Sequence, residues 1–200
     1  NNFGTLVNTI EEGRIIFENI KKVVAYVLSN SFAEITLIFG AMILGLPAPL
    51  SVVQILWIHL ICDGPSDIVL GFERETGLMD LPPKSLKEDI LDIRGKFLIP
   101  AISLTSSLMC LWLFRSTMLN HGDVIMAQSV IFTTLSVMAI IYIFSFRSFH
   151  KSVLMRGSFW SNKWLFAAVL FGFIQQFIAL YVPFFREMLN VKPLGLAEWA

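Results

Sequence analysis

Charged residues are scarce in this 200-residue chain: Asp, Glu, Lys and Arg make up 15%, against 56% apolar residues. With a mean hydropathy of +0.71, there is too little polar surface to clothe a soluble domain, and the composition reads as an integral membrane protein. Fifteen basic residues balance fifteen acidic ones, so no excess of positive charge recommends nucleic acid as a partner. Only two cysteines occur, Cys62 and Cys110, both inside apolar runs. That excludes a disulfide framework and a Cys/His zinc site, and leaves them as small buried hydrophobes. Also missing are a Gly-rich phosphate loop and any Ser/His/Asp grouping, so no residue is assigned a catalytic role. No signal peptide precedes the first apolar run, and the polar, amphipathic opening reads as the inside of a helix in something longer.

What is present is a set of five apolar runs of membrane-crossing length, at about 23–45, 50–72, 95–115, 125–146 and 162–183. Residues 1–22 form a helical lead-in to the first. The fold expected is an all-α polytopic transmembrane helix bundle. The link Gly45-Leu-Pro-Ala-Pro-Leu50 is short and uncharged, which makes the first two spans an antiparallel hairpin. Twelve of the fifteen Lys and Arg residues fall on one side of this arrangement, placing the N-terminus in the cytoplasm, with the cell membrane as the expected location. Trp112, Trp160 and Trp164 lie near span ends, as interfacial residues do. The loop that follows the second span contains Asp80 and the stiff pair Pro82-Pro83.

Within the spans, polar groups are few and concentrated. An ionised carboxylate at bilayer depth costs about 2.5 kcal/mol or more, so each one present asks for a role. In the first span Glu34 shares a helical face with Asn30 and Ser31. Asn30 and Ser31 also suit plain helix-to-helix hydrogen bonding, while Glu34 reads as a cation ligand or proton carrier. In the second, His59, Asp63 and Asp67 follow one another at four-residue intervals. Three readings of His59 stand side by side: neutral imidazole ligand, proton acceptor, or hydrogen-bonded partner of Asp63. Gly64-Pro65 interrupts the run, because Pro65 lacks an amide hydrogen and its ring crowds the preceding turn. The expectation is a helix unwound there, whose freed carbonyls and neighbouring carboxylates form an oxygen-rich cation site. Gln128, Thr133, Thr134, Ser136, Tyr142, Gln175 and Gln176 suit helix packing, so a single site is expected.

These residues resemble the C-terminal membrane region of type II P-type cation ATPases, the family of the calcium, calcium/manganese and sodium/potassium pumps. The resemblance runs through Glu11-Glu-Gly-Arg14, Tyr26-Val-Leu-Ser-Asn-Ser-Phe-Ala-Glu34, Leu46-Pro47, Gln54-Ile-Leu-Trp57, Asp63-Gly-Pro65, Leu70-Gly-Phe-Glu73 and Met79-Asp80 with Pro82-Pro83. It implies helices five to nine of such a pump, with residues 1–22 as the stalk leaving a phosphorylation domain and residues 23–200 as the transport domain. Glu34 and Asp63 match the family's two principal carboxylate ligands, and both are assigned to the metal. Ser31 and His59 stand where calcium pumps usually have Asn, and Asp67 is similar to a second acidic residue of the sodium/potassium pump. Asp80, Pro82 and Pro83 match the coupling loop.

The function so implied is the ion-binding portion of an ATP-driven cation translocase for Ca2+ or Mn2+. ATP and Mg2+ act only in the full-length parent, because this stretch has no nucleotide-binding or phosphorylation domain of its own. Its partners are the lipid bilayer, the transported cation and the remaining domains of the pump. Asp67 and His59 motivate an alternative, a monovalent-cation or proton-coupled pump. A non-catalytic membrane polypeptide that binds or regulates a partner is an alternative of another class.

Overall fold

The structure is a computed structural model describing residues 2–73, 79, 91, 93–147, 162–195 and 198. Asp80, Pro82, Pro83 and Trp160 lie outside the described residues. Every regular element among the described residues is helical, and five helices are long and apolar enough to cross a membrane.

The first helix, α1, runs without interruption from Asn2 to Ile43. At 1.5 Å per residue its length is about 63 Å, roughly twice the hydrocarbon thickness of a bilayer. Residues 3–17 are largely exposed, and burial begins at Glu18 and Asn19. No proline interrupts it. It stops where Gly45 takes a left-handed φ of 67°. There Leu46 N–H donates to Ala41 O at 2.9 Å and Gly45 N–H to Met42 O at 3.1 Å, which satisfies the last carbonyls before the chain turns.

Ser51 starts the return strand of the hairpin. Its hydroxyl accepts from Gln54 N–H, and the Gln54 side chain accepts from Ser51 N–H, a reciprocal cap on α2 (Val52–Trp57). The second crossing then continues as a π-helical turn, Ile58–Asp63, and as α3, Gly64–Gly71. The expected unwinding at Gly64-Pro65 is therefore corrected. The chain stays helical through that dipeptide, with Asp63 and Gly64 both in right-handed helical backbone, and the disturbance is absorbed upstream as a widened turn. Pro65 sits in the first turn of α3, where a missing amide hydrogen leaves no gap.

Three more long helices complete the bundle. They are α4 (Ile93–His121), α5 (Val124–Tyr142, extended by a 3-10 turn over Ile143–Phe146) and α6 (Lys163–Tyr181). A short α7, Pro183–Leu189, follows Val182. Asp123 caps α5 and Asn162 caps α6, each carboxyl or carboxamide oxygen accepting two backbone N–H groups. Hydroxyls along α5 are satisfied locally: Ser129, Thr133, Thr134 and Ser136 each donate to the carbonyl four residues back.

The helix α1 packs along α4 and against α3, α4 packs against α5, and α6 covers α3, α5 and the π turn. Small residues permit the closest approaches. A Cβ on Gly172 of α6 would stand 2.9 Å from Ile140 Cδ1, and one on Gly40 of α1 would stand 3.0 Å from Leu111 Cδ2. Buried apolar side chains form two clusters, one including Leu37, Ile58, Cys62 and Phe132, the other including Tyr26, Leu70, Ile143 and Phe146. Along α1 these clusters are separated by the stretch that carries Asn30 and Glu34.

Candidate functional site

The buried polar residues of α1 meet the π turn between the two apolar clusters. Glu34 and Asp63 are 5% and 3% exposed. The two carboxylates are linked through one imidazole: His59 Nε2 lies 2.9 Å from Glu34 Oε2, and His59 Nδ1 lies 3.5 Å from Asp63 Oδ2. Asn30 donates from Nδ2 to Asp63 Oδ2 at 3.3 Å. The Tyr26 hydroxyl shares its one hydrogen between Asp63 Oδ1 at 3.0 Å and the Ala139 carbonyl of α5 at 3.1 Å. Asp63 thus receives contacts from three side chains and Glu34 from one.

His59 and Asp63, four residues apart, share one face of the second crossing, and the π turn carries both. It widens the helix at the residues that carry both side chains, and Asp63 is at once its last residue and the cap position of α3.

Proton bookkeeping constrains the charge. An imidazole can bond two carboxylates only as imidazolium, donating from both nitrogens, or as neutral imidazole that donates once and accepts once from a protonated carboxyl. With Nε2 bonded to Glu34 and Nδ1, 3.5 Å from Asp63, engaged as well, either arrangement leaves Glu34, His59 and Asp63 with one net negative charge. That is half the charge of two bare carboxylates, and hydrogen bonds to charged groups, worth about 1.5–3 kcal/mol each, are of the size needed to offset a carboxylate at this depth. The donors present also bear on a cation. Carboxylate oxygens and an amide oxygen are hard ligands of the kind Ca2+ and Mn2+ accept, whereas the imidazole offers nitrogen. Among the described residues no group of three or more His, Cys, Asp and Glu is arranged to hold a metal ion. Both carboxylates are engaged in hydrogen bonds instead.

Ser31 is half-buried and takes no part in this cluster, and Asp67 forms no hydrogen bond with it. The Asp67 Oδ1 atom and the Ser66 hydroxyl are buried with no hydrogen-bond partner among the described residues. Two further groups, neither singled out by spacing, stand beside Glu34. Ser106 and Tyr142, their hydroxyls 3.2 Å apart, line with Asn30 and Glu34 a cavity of about 10 Å³, close to the space one water needs. Tyr26 was equally legible only in hindsight: it precedes Asn30 by four residues and so lies on the same helical face.

Residues 47–200 match the family described as "Cation transporting ATPase, C-terminus". Similar proteins include the "Calcium-transporting ATPase" of Bacillus subtilis (strain 168), 30% identical over 203 residues, which covers 99% of this chain and 22% of that protein. The "Calcium-transporting ATPase type 2C member 1" of Pongo abelii is 33% identical over 201 residues, 98% of this chain and 21% of its own length. The "Calcium-transporting ATPase 1" of Saccharomyces cerevisiae is 30% identical over 200 residues, 98% of this chain and 21% of its own length. The chain thus spans about a fifth of the relatives it matches. With five apolar helices and a buried carboxylate cluster already in view, the chain belongs to the family of C-terminal membrane regions of cation-transporting ATPases.

Proposed function

We propose that this chain is the ion-binding and translocating part of an ATP-driven pump for calcium or a similar divalent cation, Mn2+ being the next candidate. It has one site, at which Glu34 and Asp63 are the carboxylate ligands. The observation that carries this reading is the convergence of both acids, from α1 and from the π turn, on the single side chain of His59. Asn30 turns its carboxamide oxygen to the ion when Asp63 no longer needs its donor, and Ser31, Asp67 and His59 complete or gate the shell. The partnerless Asp67 Oδ1 supports a place for Asp67 facing the cation path or a part of the pump beyond this chain. The N-terminus lies on the cytoplasmic face of the cell membrane. Residues 1–22 act as the stalk, and the loop carrying Asp80, Pro82 and Pro83 acts in coupling. ATP, Mg2+ and the phosphorylated aspartate belong to domains outside this stretch.

The test is phosphoenzyme formation by the full-length pump across a series of cations. Ca2+ or Mn2+ should stimulate it, and Glu34→Gln and Asp63→Asn should each abolish the stimulation. Unchanged cation dependence in both variants would refute the ligand assignment. A second reading, a monovalent or proton-coupled pump, draws on the proton that Glu34, His59 and Asp63 share. Stimulation by sodium, potassium or protons with no response to a divalent ion would favour it.

A further inference from the structure

The carboxylate cluster is not the only buried polar assembly. At the end of the bundle where α1 emerges, Glu73 and Arg147 are each 2% exposed. Glu73 Oε1 accepts from Arg147 Nη2 at 2.9 Å and from Nε at 3.2 Å, while its Oε2 accepts from Asn162 Nδ2. Asn162 uses its other side-chain atom, Oδ1, to cap α6 through the Trp164 and Leu165 amides, both at 3.1 Å. Asn19 of α1 donates from Nδ2 to the Gly71 carbonyl at 2.9 Å and the Glu73 carbonyl at 2.7 Å. One acidic residue therefore joins the C-terminal end of α3, the residue that ends the 3-10 extension of α5, the N-terminus of α6 and the middle of α1.

The register of α1 on the second crossing gives this junction a consequence. Asn19, Tyr26, Asn30 and Glu34 follow one another at intervals of seven, four and four residues, which places them on one helical face. They meet, in antiparallel order, the carbonyls of Gly71 and Glu73, then Asp63 twice, then His59. The two helices are stapled at levels about 22 Å apart along α1. A buried ion pair with every oxygen engaged has a narrow geometry, since separating it leaves charges stranded in a low-dielectric interior. The ion pair fixes the end of α3 to that of α5, and the two Asn19 hydrogen bonds tie α1 to the same stretch of backbone, so a displacement of α1 pulls on α3 and, through Arg147 and Asn162, on the ends of α5 and α6.

We propose that Glu73, Arg147, Asn162 and Asn19 form a coupling clamp, a set of positioning residues that passes displacement of α1 to Asp63 by making the middle of α1 and the three helix ends of α3, α5 and α6 move as one body. The proposal rests on the pump reading above. It differs from a role in the cation site, because among the described residues none of the four forms a hydrogen bond or ion pair with Glu34, His59 or Asp63.

The experiment uses the full-length pump in sealed vesicles and reads two quantities, the half-saturating cation concentration for phosphoenzyme formation and the number of cations moved per ATP hydrolysed. Glu73→Gln and Asn19→Leu should leave the first within about threefold of the unsubstituted pump and lower the second by about threefold or more. Glu73→Asp, which keeps the charge, should recover part of the ratio. A purely structural role would reduce the amounts of phosphoenzyme and of transported cation in proportion to folded protein and leave the ratio of cations to ATP unchanged, and that result would overturn the clamp. If Glu73→Gln does not fold, Asn19→Leu still decides, since it strands no charge. Absence of any cation-stimulated phosphoenzyme in the unsubstituted pump would remove the pump reading, and the clamp with it. A normal phosphoenzyme with an unaltered ratio in the variants removes the clamp alone.

Discussion

The Nε2 atom of His59 lies 2.9 Å from Oε2 of Glu34, joining two crossings through residues 25 positions apart in sequence. Because the other ring nitrogen faces Asp63, the imidazole stands between the two acids a divalent ion would bridge. On the proposed function, cation and imidazole compete for the same oxygens. His59→Ala should lower the half-saturating cation concentration for phosphoenzyme formation by roughly tenfold, the equivalent of about 1.4 kcal/mol. It should also lower thermal stability without cation, since two acids then face each other unscreened. A higher half-saturating concentration would instead make His59 a ligand.

Tyr26 is wholly buried, with its ring edge-on to Phe146 at 5.7 Å and its hydroxyl shared between Asp63 and the Ala139 carbonyl. Tyr26→Phe keeps the ring contact and strands two acceptors. The expected loss is about 1–3 kcal/mol of stability, read as a lower melting temperature in detergent or nanodiscs. A variant as stable as the parent would show that water replaces the hydroxyl.

Gly172 lets α6 approach α5, and a Cβ there would stand 2.9 Å from Ile140 Cδ1 and 3.0 Å from Cγ1. The obstacle is a flexible side chain, so Gly172→Ala should cost about 1–3 kcal/mol, the usual range for overpacking. Gly172→Leu should cost more. Adding Ile140→Ala should recover most of the loss from Gly172→Ala. Additive losses in the double variant would place the strain elsewhere.

Outside the spans, the hydrogen bond from Lys192 to Asp123 holds the Asp123 carboxyl below its ordinary 3.8, helped by the amides of Met126 and Ile125. A lowered carboxyl pKa means the folded state binds its proton less readily than the unfolded state. The contribution to stability is therefore complete above about pH 4–5 and is lost as pH falls through the folded value. A carboxyl-carbon NMR titration of Asp123 should give a midpoint under the ordinary value, and Lys192→Met should move it upward. An identical midpoint in both proteins would show that Lys192 does not set it.

Much of the candidate site was readable because the bilayer makes its residues conspicuous. Glu34, Asp63 and His59 interrupt apolar runs, and Asn30 lies four residues before Glu34 on the same face. Tyr26 opens the stretch that ends at Glu34, but a tyrosine in an apolar helix carries no mark of its role until its hydroxyl has an acceptor. Ser31 and Asp67 satisfied the spacing yet joined no part of the hydrogen-bonded cluster, since spacing fixes the face of a helix but not which neighbour packs there. The Glu73 junction had no local signal: its partners lie 74 and 89 residues away.

Composition and apolar run length alone determined that this is a membrane-crossing helical bundle, because backbone polar groups in lipid must be satisfied within each segment. The same sequence marked the acids worth explaining, through the cost of charge at depth. What only the tertiary structure decided is who shares those charges. The widened turn at Ile58–Asp63, in place of an unwound Gly64-Pro65, and the placement of one imidazole between two carboxylates depend on α1, α5 and α6 closing around the second crossing. Hydrogen bonds between distant elements reward a particular packing, and no periodicity along one helix records it.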